Sequence, residues 1–195
     1  VIVLGWLAAC SAPAQTVEWI DGRMAPPTTG DGASGDNFGI ATVAAGEFAV
    51  VGAYGDTSAA PGFTFGISQG SVSVYQRSGN DWVAQQKILP LPDGEDGDNF
   101  GVSLAMAGDL LAVGAPRRSA PDAPEAGSVF LYQRVGGSYQ QRQILLAEIP
   151  APDERFGTAV AMWQDQLAVG IPGADAVVIY RHVGSGVFQY QRSLV

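Results

Sequence analysis

The 195-residue chain is poor in the residues that most catalytic and metal sites need: it has one cysteine, Cys10, one histidine, His182, and one lysine, Lys87. A lone cysteine excludes an intrachain disulfide framework, and with a lone histidine it cannot complete a Cys/His zinc set. His182 stands at the strand position that Arg77 and Arg134 occupy in two related segments, which reads as a surface strand position rather than a catalytic base. No glycine-rich loop follows a strand and opens a helix, so no phosphate cradle is visible. Charge is scarce, at 15% of residues, and acidic on balance, with 19 Asp and Glu against 10 Lys and Arg and a formal net charge of −9. Such a charge repels a phosphate backbone and argues against nucleic acid and anionic membrane surfaces as partners. Apolar runs of bilayer-spanning length are missing too; Val1 to Ala9, apolar or glycine throughout, is nine residues long.

That opening stretch, "VIVLGWLAACSAPAQ", has the character of the hydrophobic region of a secretory signal without its basic start. "LAAC", Leu7 to Cys10, resembles the lipobox of bacterial lipoproteins. The resemblance implies that Cys10 is lipidated and becomes the mature N-terminus, which accounts for the one cysteine. A rival reading takes Ala12, Pro13 and Ala14 as an ordinary cleavage site that leaves Gln15 first. A third keeps Cys10 as an inert thiol on a buried strand. The first two export the protein, and the expected location is the bacterial cell envelope, lipid-anchored in the periplasm or at the cell surface, or else secretion. Membrane contact is then expected only through the lipid.

What the chain has in abundance is glycine, 26 residues, and proline, 12, which suits many turns between short strands. These residues recur in register. Phe38-Gly39, Phe100-Gly101 and Phe156-Gly157 are each followed, thirteen residues after the glycine, by Gly52, Gly114 and Gly170. Between the two landmarks lie two β-prone runs split by Gly46-Glu47, Gly108-Asp109 or Gln164-Asp165. A two-residue loop with Gly first suits a type II′ hairpin, so the third copy is expected to turn differently. A third strand follows in "GSVSVYQR", "GSVFLYQR" and "DAVVIYRH", and a fourth in "WVAQQKIL", "YQQRQILL" and "FQYQRSLV". The glutamines of the fourth strand read as an exposed sheet edge.

Four antiparallel strands per unit, with Phe-Gly spacings of 62 and 56 residues, predict an all-β chain built as part of a β-propeller with about three blades. Phe-Gly, a hairpin, Gly-Ala-Pro and Gly-x-Val-x-x-Tyr together resemble the FG-GAP repeat of the integrin α-subunit propeller, most closely its bacterial type. "DGASGDNFG" and "DGEDGDNFG" match that repeat's opening, while the third copy is four residues shorter before Phe156. The expected division is a signal or lipobox region at 1–14, an N-terminal strand and linker at 15–30, and blades at 31–92, 93–149 and 150–195. The glycine after Phe is expected to let neighbouring blades approach, Phe to fill the space between them, and the proline to end the second strand. Propellers close with about four to eight blades. Further blades are therefore expected beyond this chain or from a partner, and exposed blade faces are expected to self-associate.

Integrin propellers bind calcium in an Asp-x-Asp-x-Asp-Gly loop after Gly-Ala-Pro, and that loop is absent: "GDTSAAPGF" carries only Asp56, and "RRSAPDAPE" opens with two arginines. No cofactor is expected. The remaining calcium candidates are Asp31 with Asp36 and Asp93 with Asp98, for which capping of their own turns is the favoured reading. Trp19, Trp82 and Tyr139 read as packing residues of the outer strands, with a sugar platform as the alternative. No matched acid, base and nucleophile emerges. The expectation is a non-catalytic exported module that binds a protein or glycan, with a role in adhesion implied by the resemblance. The alternatives are an enzyme that uses the propeller's central channel and an accessory domain of a larger surface protein.

Overall fold

The computed structural model describes residues 34–57, 68–91 and 94–195; Cys10, the signal region, Trp19, Asp31 and Asp93 lie outside the described residues. Among the described residues twelve strands form three four-stranded antiparallel sheets, each in chain order. The first blade contains β1 (Thr42–Ala45), β2 (Phe48–Ala53), β3 (Ser71–Ser78) and β4 (Asp81–Ile88). The second has β5 (Ser103–Ala107), β6 (Leu110–Ala115), β7 (Ser128–Val135) and β8 (Ser138–Leu145). The third has β9 (Val160–Trp163), β10 (Gln166–Ile171), β11 (Ala176–Gly184) and β12 (Val187–Leu194). The one helical turn among the described residues, a 3₁₀ segment at Pro172–Ala174, begins with proline, whose fixed φ suits the first helical position.

Each inner hairpin turns in two residues, as Ala45↔Phe48, Ala107↔Leu110 and Trp163↔Gln166 are directly paired. Gly46 and Gly108 take φ of 60° and 58°, and Gln164 takes 53° in the same place. The expectation of a different third turn is thus corrected at the level of φ: glutamine adopts the left-handed value itself, at a cost of about 1–2 kcal/mol relative to glycine. Arg77, Arg134 and His182 donate their amides to the carbonyls of Glu47, Asp109 and Asp165, so the third strand is held over the turn alike in all three blades.

Two apolar layers join the blades. Between the first and second, Phe48, Val50, Val72 and Val74 meet Phe100, Leu111, Val113, Phe130 and Tyr132. Between the second and third, Leu110, Ala112, Val129 and Leu131 meet Phe156, Leu167, Val169, Val178 and Tyr180. Period-2 alternation places successive residues of one strand on opposite faces, so the second blade feeds both layers and β6 is buried at every position. One blade alone could cover neither of its faces.

Candidate functional site

The landmark residues meet where blades join. Phe100 and Phe156 are fully buried, Phe100 edge-on to Phe130 at 5.1 Å and Phe156 edge-on to Tyr180 at 6.3 Å between ring centres; Phe38, which opens the first blade, is only half-buried. Each buried Phe forms a parallel bridge with the glycine before the preceding blade's third strand, Gly70↔Phe100 and Gly127↔Phe156. Gly101 and Gly157 take φ of 91° and 90°, a conformation side chains rarely adopt. A Cβ on Gly52 would collide with the Gly101 carbonyl, and one on Gly114 with the Gly157 carbonyl. Gly39 and Gly170 differ: a Cβ on Gly39 would find open space, and one on Gly170 would meet Ala159 at an ordinary 3.5 Å. The thirteen-residue spacing therefore serves two functions at once. Within a blade it sets a hydrogen bond from the first glycine's amide to the second's carbonyl, at 2.9 to 3.0 Å for Gly39–Gly52, Gly101–Gly114 and Gly157–Gly170. Between blades it brings backbone against backbone.

The loop before each Phe-Gly holds the carboxylates singled out in the sequence. Asp98 is 2% exposed and its Oδ2 accepts the Glu95 amide at 2.9 Å; Glu154 does the same for Ala151 at 3.1 Å in the third blade. Burial pushes the Asp98 carboxyl above its usual value, against the lowering effects of the Glu95 amide and of Arg118, whose guanidinium lies 4.0 Å away. Asp36 is equally buried, at 3%. Asp56, in the loop after the first blade's second strand, is paired with Lys87 at 2.7 Å and accepts the Ser71 hydroxyl. The second blade has Arg118 in the place of Asp56, so the sign of the charge there is reversed. Among the described residues no group of three or more His, Cys, Asp or Glu side chains is arranged to hold a metal ion. His182 is engaged within its own hairpin, its Nε2 accepting the Gly186 amide at 3.2 Å while its ring packs on Phe188.

The sequence reading missed a second inter-blade device. Gln86 of β4 donates to the Tyr139 carbonyl at 2.9 Å and accepts the Tyr139 amide at 2.7 Å; Gln143 of β8 does the same to Phe188, at 3.1 and 2.8 Å. Each side-chain amide thus acts like one more strand residue and fixes the next blade's outer strand. The expected exposed edge holds for Gln85, Gln140, Gln141, Gln189 and Gln191, whereas Gln86 and Gln143 are half-buried against the next blade. An extra residue in the outer strand itself, Gln85 in β4 opposite Val74/Tyr75 and Arg142 in β8 opposite Leu131/Tyr132, makes a bulge that shifts the strand's facing by one residue and turns Gln86 and Gln143 toward the neighbour. Tyr139 and Phe188 are buried beneath these clamps, whereas Trp82 of the first blade is half-buried.

Residues 82–132 match the sequence model of the FG-GAP repeat. The chain carries an FG-GAP repeat. The matched segment runs from Trp82 in the outer strand of the first blade to Tyr132 in the third strand of the second, and so contains the junction just described, with Gln86, Phe100, Gly101 and Gly114. The FG-GAP repeat implies a propeller-like arrangement, and the three sheets stack face to face in that manner, with no sheet closing on itself among the described residues. No curated protein matches the chain.

Proposed function

We propose that this FG-GAP chain is a non-catalytic binding module of the bacterial cell envelope, exported and anchored through Cys10, that presents the loops and outer strands of its blades to a protein or glycan ligand, with adhesion as the biological use. The observation that carries the binding reading is the FG-GAP match across the blade junction, since such repeats build propeller domains that commonly bind. The engagement of the one histidine and of Asp98 and Glu154 in local backbone bonds supports it, because each is already held by its own turn. The anchoring reading rests on "LAAC" alone.

Expression of the full-length gene in a bacterium fed labelled palmitate should tag the protein, and Cys10→Ser should remove the tag; equal labelling of both would refute the anchor. The purified protein should bind saturably on an array of glycans and surface proteins and give no turnover of glycoside, ester or peptide substrates. Turnover abolished by a loop variant would refute the non-catalytic reading.

A further inference from the structure

The outer wedge between the second and third blades holds a cleft of about 560 Å³. Its walls are Ile149 and Leu146 from the segment after β8, Ile171 and Val178 from the third blade's inner strands, and the rings of Tyr180 and Tyr190. Strand alignment shows how the third blade makes this space. Val178 stands where the second blade has Phe130, a ring with no solvent exposure that fills the corresponding depth against Phe100. Tyr190 stands where the first two blades have Ala84 and Gln141, opposite Tyr180 as those residues lie opposite Tyr75 and Tyr132. The third blade therefore lacks an aromatic ring at the floor and has gained one at the rim. The β12 bulge puts Tyr190 and Ser193 on one side, their hydroxyl oxygens 3.3 Å apart.

The polar groups around the cleft favour positive charge. Glu148 lies at the mouth, and the remaining polar lining is hydroxyl. The Tyr180 phenol is pushed up to about 12, chiefly by burial and further by Tyr190 and Glu148, so the surroundings resist a second negative charge. Among the described residues no arginine or lysine lines the cleft. The volume falls in the range of about 300–1,000 Å³ typical of small-molecule sites, and two aromatic faces near a carboxylate are the usual receptor for a cation with an apolar body.

We propose that this cleft binds a small aryl-alkyl ammonium compound, its ring or chain against Val178, Ile171 and the two tyrosines and its ammonium at Glu148. The site is independent of where the protein is located and of any partner bound by the loops.

The test is calorimetric titration of the full chain with phenethylammonium chloride, with 2-phenylethanol and 3-phenylpropionate as charge controls. Saturable binding of the ammonium is expected, at least about tenfold tighter than either control. Ser193→Trp at the rim and Val178→Phe at the floor should each weaken it by about tenfold or more, since both refill the space. Glu148→Gln, at an exposed position, should weaken it by about fivefold at low salt. Melting curves identify any variant that fails to fold, and Ser193→Trp decides the matter if Val178→Phe does. Absence of saturation on folded protein, equal binding of the alcohol, or indifference to Ser193→Trp would each overturn the proposal.

Discussion

The second and third blades share strand order, turn positions and landmark glycines, yet the same positions are buried in one and open in the other. Val129 is fully buried while its counterpart Val177 is 37% exposed, and Leu145 at 6% corresponds to Leu194 at 49%. Both pairs lie on the face pointing toward the end of the chain. On the opposite face the blades agree, with Leu111 and Leu167 both at 0%. Composition follows burial only in part, since Val177 and Leu194 stay apolar though exposed. The second blade presents Leu110, Leu131 and the clamp Gln143 to its neighbour, and the third presents Gln166, Ile179 and Arg192 at the matched positions. A blade of this kind is thus two half-structures, each stabilised by what stacks on it.

Glycine substitutions should expose that difference most sharply. Gly114→Ala would force a Cβ into the Gly157 carbonyl and should cost about 3 kcal/mol, since backbone on both sides has little room to move. Gly170→Ala, at the equivalent place, should stay within about 1 kcal/mol, because its nearest neighbour would be Ala159 at 3.5 Å. Denaturant midpoints compare the two, and equal losses would show that the glycines answer to their own hairpins and not to the next blade.

The clamp is the next largest effect. Gln143→Ala leaves the Phe188 amide and carbonyl without their partner and should cost about 1–2 kcal/mol, whereas Arg192→Ala should fall within about 0.5 kcal/mol. Faster hydrogen exchange of the Phe188 amide in Gln143→Ala, with none in Arg192→Ala, would show that the loss belongs to that contact.

The smallest effect is electrostatic. The folded Asp98 carboxyl titrates above its unfolded value near 3.8, so the ionised form is the one that folding penalises. The penalty is absent well below 3.8 and complete once pH has risen past the folded value. Asp98→Asn keeps an oxygen for the Glu95 amide, and its stability relative to the parent should rise across that window, by less than about 1 kcal/mol. A relative fall with rising pH, read from midpoints at several pH values, would show that Arg118 outweighs burial.

The strands and their turns were legible because two-residue loops and period-2 alternation are local signals, and because three copies in register average out the exceptions. Glycine's need for a close approach was legible as well, though not its partner: Gly114 meets Gly157, 43 residues away, across a blade boundary that no local pattern marks. The glutamine clamps were hidden for a different reason. A one-residue bulge reverses the facing of everything after it, so alternation groups Gln86 with Trp82 and Gln143 with Tyr139, when each glutamine points the other way, toward the next blade. Gln164 misled in the other direction, since propensity assigns a left-handed φ to glycine or asparagine and the surrounding hairpin overrides that preference.

Hydrogen exchange of the inner strands tests most directly the claim that each blade is stabilised by stacking on both faces. β6 and β10 have the same length and the same two antiparallel partners, and they differ in whether one face or both are covered. The amides of β6 should exchange at least about tenfold more slowly than those of β10, a difference of about 1.4 kcal/mol in local opening. Equal protection in the two strands, or slower exchange in β10, would contradict the account and place the stability within each sheet.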